Sequence, residues 1–162
     1  MKESIFLKKL KAEGRIELIE PSTEVSKAYL IKADNCLKSS KILLQNQLYE
    51  NSVGEGYYCI YNSILALLFN LGIKSEVHSA SIILFDRLFN IQEMSKIAFQ
   101  AKEERIDKQY YVETNQTKST KDSCDNMILN AESFLIKIRV LIKELTNDKI
   151  QATRKLFEEL LK

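Results

Sequence analysis

The chain has one proline, four glycines and one histidine among its 162 residues, and its three cysteines are an odd number set far apart. So little proline and glycine argues against a turn-rich all-β fold, and a hydrophobic share of 45% argues against a disordered chain. Cys36, Cys59 and Cys124 form no Cys-x-x-Cys pair, so neither a disulfide framework nor a zinc site is indicated, and each reads as a small packing residue in a helical pattern. No stretch approaches about 18 uninterrupted apolar residues, and the opening Met1 to Lys9 lacks the apolar core of a signal peptide. The expected location is therefore cytoplasmic, without a membrane. A Gly-rich phosphate loop, a His-Glu-x-x-His helix and the Glu-x-x-His pairs of di-iron bundles are also missing. One histidine with dispersed carboxylates makes no metal cluster, so neither a metal nor a cofactor is expected.

Charge of one sign is scarce too. With 24 Lys+Arg against 22 Asp+Glu, the net charge of +2 is too small to announce a nucleic-acid binder, although a local patch is left open. Positive charge gathers at Lys2, Lys8, Lys9, Lys11 and Arg15, but Glu3, Glu13, Glu17 and Glu20 are interleaved with it, as on a solvated helix.

What is present is helical periodicity in a chain of single-domain length, able to bury roughly 70% of its unfolded surface. The first twenty residues form a short amphipathic arm with Ile5, Leu7 and Leu10 among lysines, stopped by Gly14 and expected to be loosely attached. Residues 21–162 form one domain. Ser22 or Thr23 caps a helix running to about Gln47, whose apolar stripe passes through Val25, Tyr29, Ala33, Cys36, Leu37, Leu43 and Leu44. A second helix, about Glu50 to Leu71 and ended by Gly72, is apolar on most faces after Tyr57, which places it at the centre of a bundle. A connection through residues 73–76 leads to a helix near Val77 to Phe89, and another covers Gln92 to Asp107. Gln109 to Lys118 breaks the periodicity and reads as an exposed loop. Ser119-Thr120-Lys121-Asp122 has the form of a helix-starting box, opening a helix with a stripe from Ile128 to Leu145. A last helix spans Asp148 to Leu161. The fold class is all-α: an up-and-down antiparallel helical bundle with an N-terminal helical arm and a C-terminal extra helix.

The central helix carries Tyr57-Tyr58-Cys59-Ile60-Tyr61-Asn62, then Leu67-Leu68 and the closing Gly72, with His78 following. Tyr58 and Asn62 stand four apart, as do Tyr57 and Tyr61, so each pair shares a helix face. With Ala28-x-x-x-Lys32-Ala33 and Leu43-Leu44 upstream, and Arg105-x-Asp107-x-x-Tyr110 and Ala131-x-x-Phe134 downstream, this order resembles the HEPN domains of archaea and bacteria over about residues 22 to 145.

Active ribonucleases of that family carry an Arg followed four to six residues later by a His, two such motifs meeting across a dimer. Arg neutralises the phosphate and imidazole moves protons. Here the residues after Arg105 are Ile106, Asp107, Lys108, Gln109, Tyr110 and Tyr111, without a His, and Arg87 has none after it either. A tyrosine, with a pKa of about 10, is a poor base at neutral pH. His78 could save catalysis only by meeting Arg105, Tyr58 or Asn62 through the fold or across a dimer; the plainer alternative is that it caps or bonds its preceding loop. Arg105, Asp107 and Tyr110 either line a cleft for a nucleotide or RNA phosphate or form a structural ion pair and a buried ring.

The resemblance thus implies a dimerising HEPN-like domain, non-hydrolytic, that binds a nucleotide, RNA or partner protein. Two alternatives stay open: a ribonuclease toxin acting with a nucleotidyltransferase-type partner, and an interaction bundle without a ligand. Tyr58, Asn62, His78, Arg105, Asp107 and Tyr110 are the ligand-binding candidates. No catalytic residue is assigned.

Overall fold

A computed structural model describes residues 2–110 and 120–162, with side chains described for residues 2–106 and 120–162. Seven helices and one two-stranded ribbon are found among these residues: α1 Lys2–Ala12, β1 Ile16–Leu18, α2 Thr23–Gln45, α3 Tyr49–Asn70, β2 Ile73–Ser75, α4 His78–Phe89, α5 Gln92–Tyr110, α6 Lys121–Lys143 and α7 Asn147–Leu160. The all-α bundle stands as expected.

Local chemistry sets the boundaries. The Ser22 hydroxyl accepts from the Val25 amide at 3.1 Å and starts α2. At the end of α1 the Gly14 and Arg15 amides bond the carbonyls of Lys11 and Leu10, and Gly14 takes the left-handed φ of +70° that this closure requires. For α6 the expected box shifts by one residue: Thr120 is the N-cap, and Ser123 exchanges hydrogen bonds with it in place of an acidic partner. Helix α5 runs to Tyr110, past the expected end at Asp107, and most of the expected loop from Gln109 to Lys118 lies outside the described residues.

Helix α3 is the axis of the molecule. Val53, Tyr57, Ile60, Ile64, Leu67 and Leu68 are fully buried, because α2, α5 and α6 all pack on it. The α2–α3 hairpin approaches closely through small residues, with the Ser40 hydroxyl donating to the Ser52 carbonyl at 2.7 Å and the Ser52 hydroxyl to the Ser40 carbonyl at 2.9 Å.

Two expectations are corrected. The N-terminal segment is not loose, since Leu7 and Leu10 are buried in the main core and Glu3 pairs with Arg87 of α4. The connections around residues 16–18 and 73–75 form an antiparallel ribbon, with Ile16 opposite Ser75 and Leu18 opposite Ile73. The Glu76 amide bonds the Arg15 carbonyl at one end of the ribbon, and the Ile19 amide bonds the Gly72 carbonyl at the other. Arg154 of α7 closes that end: its Nη1 donates to the carbonyls of Ile19, Leu71 and Gly72 at 2.8 to 3.0 Å. No described helix is long and apolar enough to cross a membrane.

Candidate functional site

The tyrosine run of α3 meets the start of α4 because β2 delivers the chain to His78 beside the middle of α3. Glycine ends α3, three residues pair in the ribbon, and α4 then starts with Val77 as an N-cap that makes no side-chain bond. The Ser81 hydroxyl donates to the Ser75 hydroxyl at 2.8 Å and fixes this corner.

His78 does not cap its helix or bond its own loop. Its ring stacks on Tyr61 with centroids 3.8 Å apart, and its Nδ1 lies 2.6 Å from the Tyr57 hydroxyl. Tyr57 is completely buried, and Nδ1 is the only partner of its hydroxyl among the described residues. A buried O–H must donate, so Tyr57 gives its proton to Nδ1, and the imidazole is the neutral tautomer with hydrogen on Nε2. Burial, with Tyr61 next, pushes the Tyr57 phenol well above its usual range and keeps it a donor.

Arg105 arrives from α5. Its Nη2 donates to the Tyr58 hydroxyl at 2.9 Å, and the guanidinium lies 5.4 Å from the Tyr58 ring centre and 5.6 Å from that of Tyr57. Its Nε is buried without a partner among the described residues. One turn earlier on the same helix face, the Lys102 Nζ donates to the Ser79 hydroxyl at 2.7 Å, tying α5 to the first turn of α4. Burial chiefly, then Arg105 and Lys102, hold the His78 pKa below its ordinary value.

Of the six expected residues, the fold thus joins Tyr58, His78 and Arg105. Asn62 points elsewhere: it is buried, and its Nδ2 donates to the Tyr58 carbonyl at 2.7 Å and faces the Cys36 sulfur at 3.6 Å. The side chains of Asp107 and Tyr110 lie outside the described residues. Three participants were not singled out from sequence. Tyr57 and Tyr61 were visible as a same-face pair, and Lys102 carried the signal of standing three residues before Arg105.

The cluster brings the Arg105 guanidinium and the imidazole to tyrosine hydroxyls, with the Lys102 ammonium on the Ser79 hydroxyl nearby, an environment suited to an anion. With Nδ1 accepting from Tyr57, the imidazole presents its Nε2 hydrogen as a donor. The thiols offer no nucleophile: burial raises Cys36 to about 11 and Cys59 to about 12. No group of three or more metal-ligating side chains occurs among the described residues.

A pH dependence follows. With the folded pKa of His78 depressed below 6.5, the unfolded chain binds the extra proton more readily. The contribution of His78 is fully present above about pH 6.5 and is lost as pH falls through that value towards the folded pKa, with a slope of at most about 1.4 kcal/mol per pH unit. Melting temperatures between pH 5 and 8 should drop more steeply in acid for the natural chain than for His78→Gln. Parallel curves would show that His78 binds protons equally in both states.

An all-α bundle whose central helix presents tyrosines to an Arg and a His from its neighbours defines the class, and comparison with known proteins places it. The family model described as the HEPN domain matches residues 26–145, so the chain belongs to the HEPN family. It is 27% identical over 114 residues to "Putative toxin MJ0605" of Methanocaldococcus jannaschii, covering 70% of this chain and 85% of that protein. It is also 28% identical over 119 residues to a UPF0332 protein of Thermotoga maritima, covering 70% of this chain and 88% of the other.

Proposed function

We propose that this HEPN protein is a cytoplasmic homodimer that binds a phosphate of a nucleotide or RNA beside Arg105, Lys102 and His78 without cleaving it. The observation that carries this reading is the 2.6 Å hydrogen bond from Tyr57 to His78 Nδ1. It occupies the lone pair that a general base needs, and it leaves the ring as a donor beside the guanidinium. The side chain of Arg105 supplies charge and an Nε donor that has no partner among the described residues, while the half-buried Tyr58 offers a ring edge to a base. No His follows Arg105 at the spacing of the active ribonucleases.

Mixed structured and single-stranded RNA should remain intact on incubation with the protein in chelator. In a fluorescence-anisotropy titration of a labelled oligoribonucleotide, Arg105→Ala should weaken binding about 10- to 100-fold, roughly 1.4 to 3 kcal/mol for a lost charge-assisted contact. Its melting temperature should change little. Unchanged affinity with a lowered melting temperature would make Arg105 a structural residue and the chain an interaction bundle.

The likeness to a protein named as a putative toxin favours a second reading, a ribonuclease toxin held in check by a nucleotidyltransferase-type partner. RNA cleavage by the natural chain, abolished in both Arg105→Ala and His78→Ala, would establish that reading over the first.

A further inference from the structure

The single histidine of the chain stands between a buried donor and two cations. From α3, Tyr57 donates to Nδ1 at 2.6 Å, Tyr61 stacks on the ring, and the Tyr58 ring meets it edge-on with centroids 6.1 Å apart. From α5 come the Arg105 guanidinium, on the Tyr58 hydroxyl, and the Lys102 ammonium, on the hydroxyl of Ser79 next to His78. Both charges act on the imidazole and oppose its protonation. As for acids, Glu76 of the preceding connection is paired with Lys74, and the charge of Glu104 acts on Cys124 of α6. No carboxylate among the described residues forms an ion pair with His78. His78, Ser79, Lys102 and Arg105 are each half-buried, so solvent reaches the group.

We infer that the anion site is proton-linked: an anion and one proton bind together, Nδ1 of His78 receiving the proton and Tyr57 reversing its hydrogen bond. The inference rests on the anion binding proposed above and names its regulation. In the free protein the imidazole is neutral, and its one lone pair, on Nδ1, is taken by the Tyr57 proton. An anion held by Arg105 and Lys102 cancels the charge that opposes protonation and gives an imidazolium an ionic partner at its Nε2 hydrogen. A proton from solvent then adds at Nδ1, so that this nitrogen becomes the donor and the Tyr57 oxygen the acceptor. No covalent bond of the anion changes. The Tyr57 hydrogen must turn away from the ring, and it has no other acceptor among the described residues, a cost that helps keep the imidazole neutral at neutral pH. Linkage is reciprocal, so the anion raises the affinity of His78 for a proton, and acid raises the affinity for the anion by the same factor.

Because the chain has one histidine, its imidazole signals in a proton–carbon correlation spectrum titrate without overlap. The full chain is titrated across the histidine range, from about pH 8 to about pH 5, in sulfate and, at equal ionic strength, in chloride. Sulfate, which keeps its charge throughout, should raise the His78 midpoint by about 0.7 pH unit or more, the equivalent of fivefold coupling. In Tyr57→Phe the midpoint in chloride should already be higher, because Nδ1 has lost its donor. Calorimetric titration with an oligouridylate lacking terminal phosphates, whose bases and diesters do not ionise in this range, should show binding about fivefold tighter at about pH 5.5 than at about pH 7.5. Heats measured in two buffers of different ionisation enthalpy should show a proton taken up with it. His78→Gln should take up none and bind equally at both pH values. A midpoint that sulfate leaves in place, with oligouridylate bound equally at both pH values, overturns the linkage and leaves the anion site standing. Acid-strengthened binding that persists in His78→Gln also overturns it, since the proton then goes elsewhere. No binding of sulfate or oligouridylate at any pH overturns the anion site and the linkage together.

Discussion

Gly72→Ala is expected to cost about 3 kcal/mol or more of stability, combining a left-handed backbone with a clash that has no room to relax. The residue has φ +71°, and a methyl group there would run into Arg154 Nη1 and the Ile19 carbonyl and lie 2.8 Å from the Pro21 nitrogen. Two of these three neighbours are backbone atoms, which cannot swing aside as the end of a side chain can. Gly14 is the internal comparison: its φ of +70° is nearly the same, yet an added Cβ would meet nothing within 4 Å. Gly14→Ala should therefore lose only about 1 kcal/mol, the conformational part alone. Urea unfolding of both variants separates the two contributions, and equal losses would mean that the junction at Gly72 yields easily.

The second large effect is expected at Phe157. This side chain is only 1% exposed and belongs to the main core, and with Leu161 and the triple hydrogen bond of Arg154 it seats α7 on the bundle. Phe157→Ala should lower the unfolding free energy by about 3 kcal/mol through lost burial and the space left behind. The unfolding midpoint of the whole chain should fall in one transition, followed by circular dichroism in urea. If the midpoint stays and only residues 147–160 become rapidly cleaved by protease, α7 is an appendage and the core stands without it.

Much of the fold was legible because its signals are local. The apolar run after Tyr57 marked α3 as central, and Ser22 and Gly72 marked boundaries through capping and left-handed φ. The ribbon was not legible: Ile16–Leu18 and Ile73–Ser75 are three residues each, too short to show alternation, and their pairing depends on contacts far apart in sequence. The helix-starting box was misplaced by one residue because Ser119 and Thr120 are both capable caps and a serine at position 123 serves where an acid was sought. For the site, the chemistry of Arg105 and His78 was visible residue by residue, but their junction was not. It depends on Tyr57, whose proton decides what His78 can do, and that direction is set by tertiary burial. Asn62 shows the converse: a polar residue on the expected face, claimed instead by its own helix backbone and by α2.

The ribbon also bears on the order in which the molecule assembles. Glu17 and Lys74, facing each other across it, are 57 residues apart in sequence, and closing so long a loop is slow and entropically unfavourable until the intervening α2–α3 hairpin has shortened the distance. The hairpin, built from neighbours along the chain, can form early. The corner that aims His78 at Tyr57 waits for the ribbon, which in turn needs residues 16–18 in place. An early folding intermediate would then hold its tyrosines on a formed helix while still lacking the imidazole, so the tyrosine–histidine cluster matures last, and a segment that contributes no side chain to it governs when it appears.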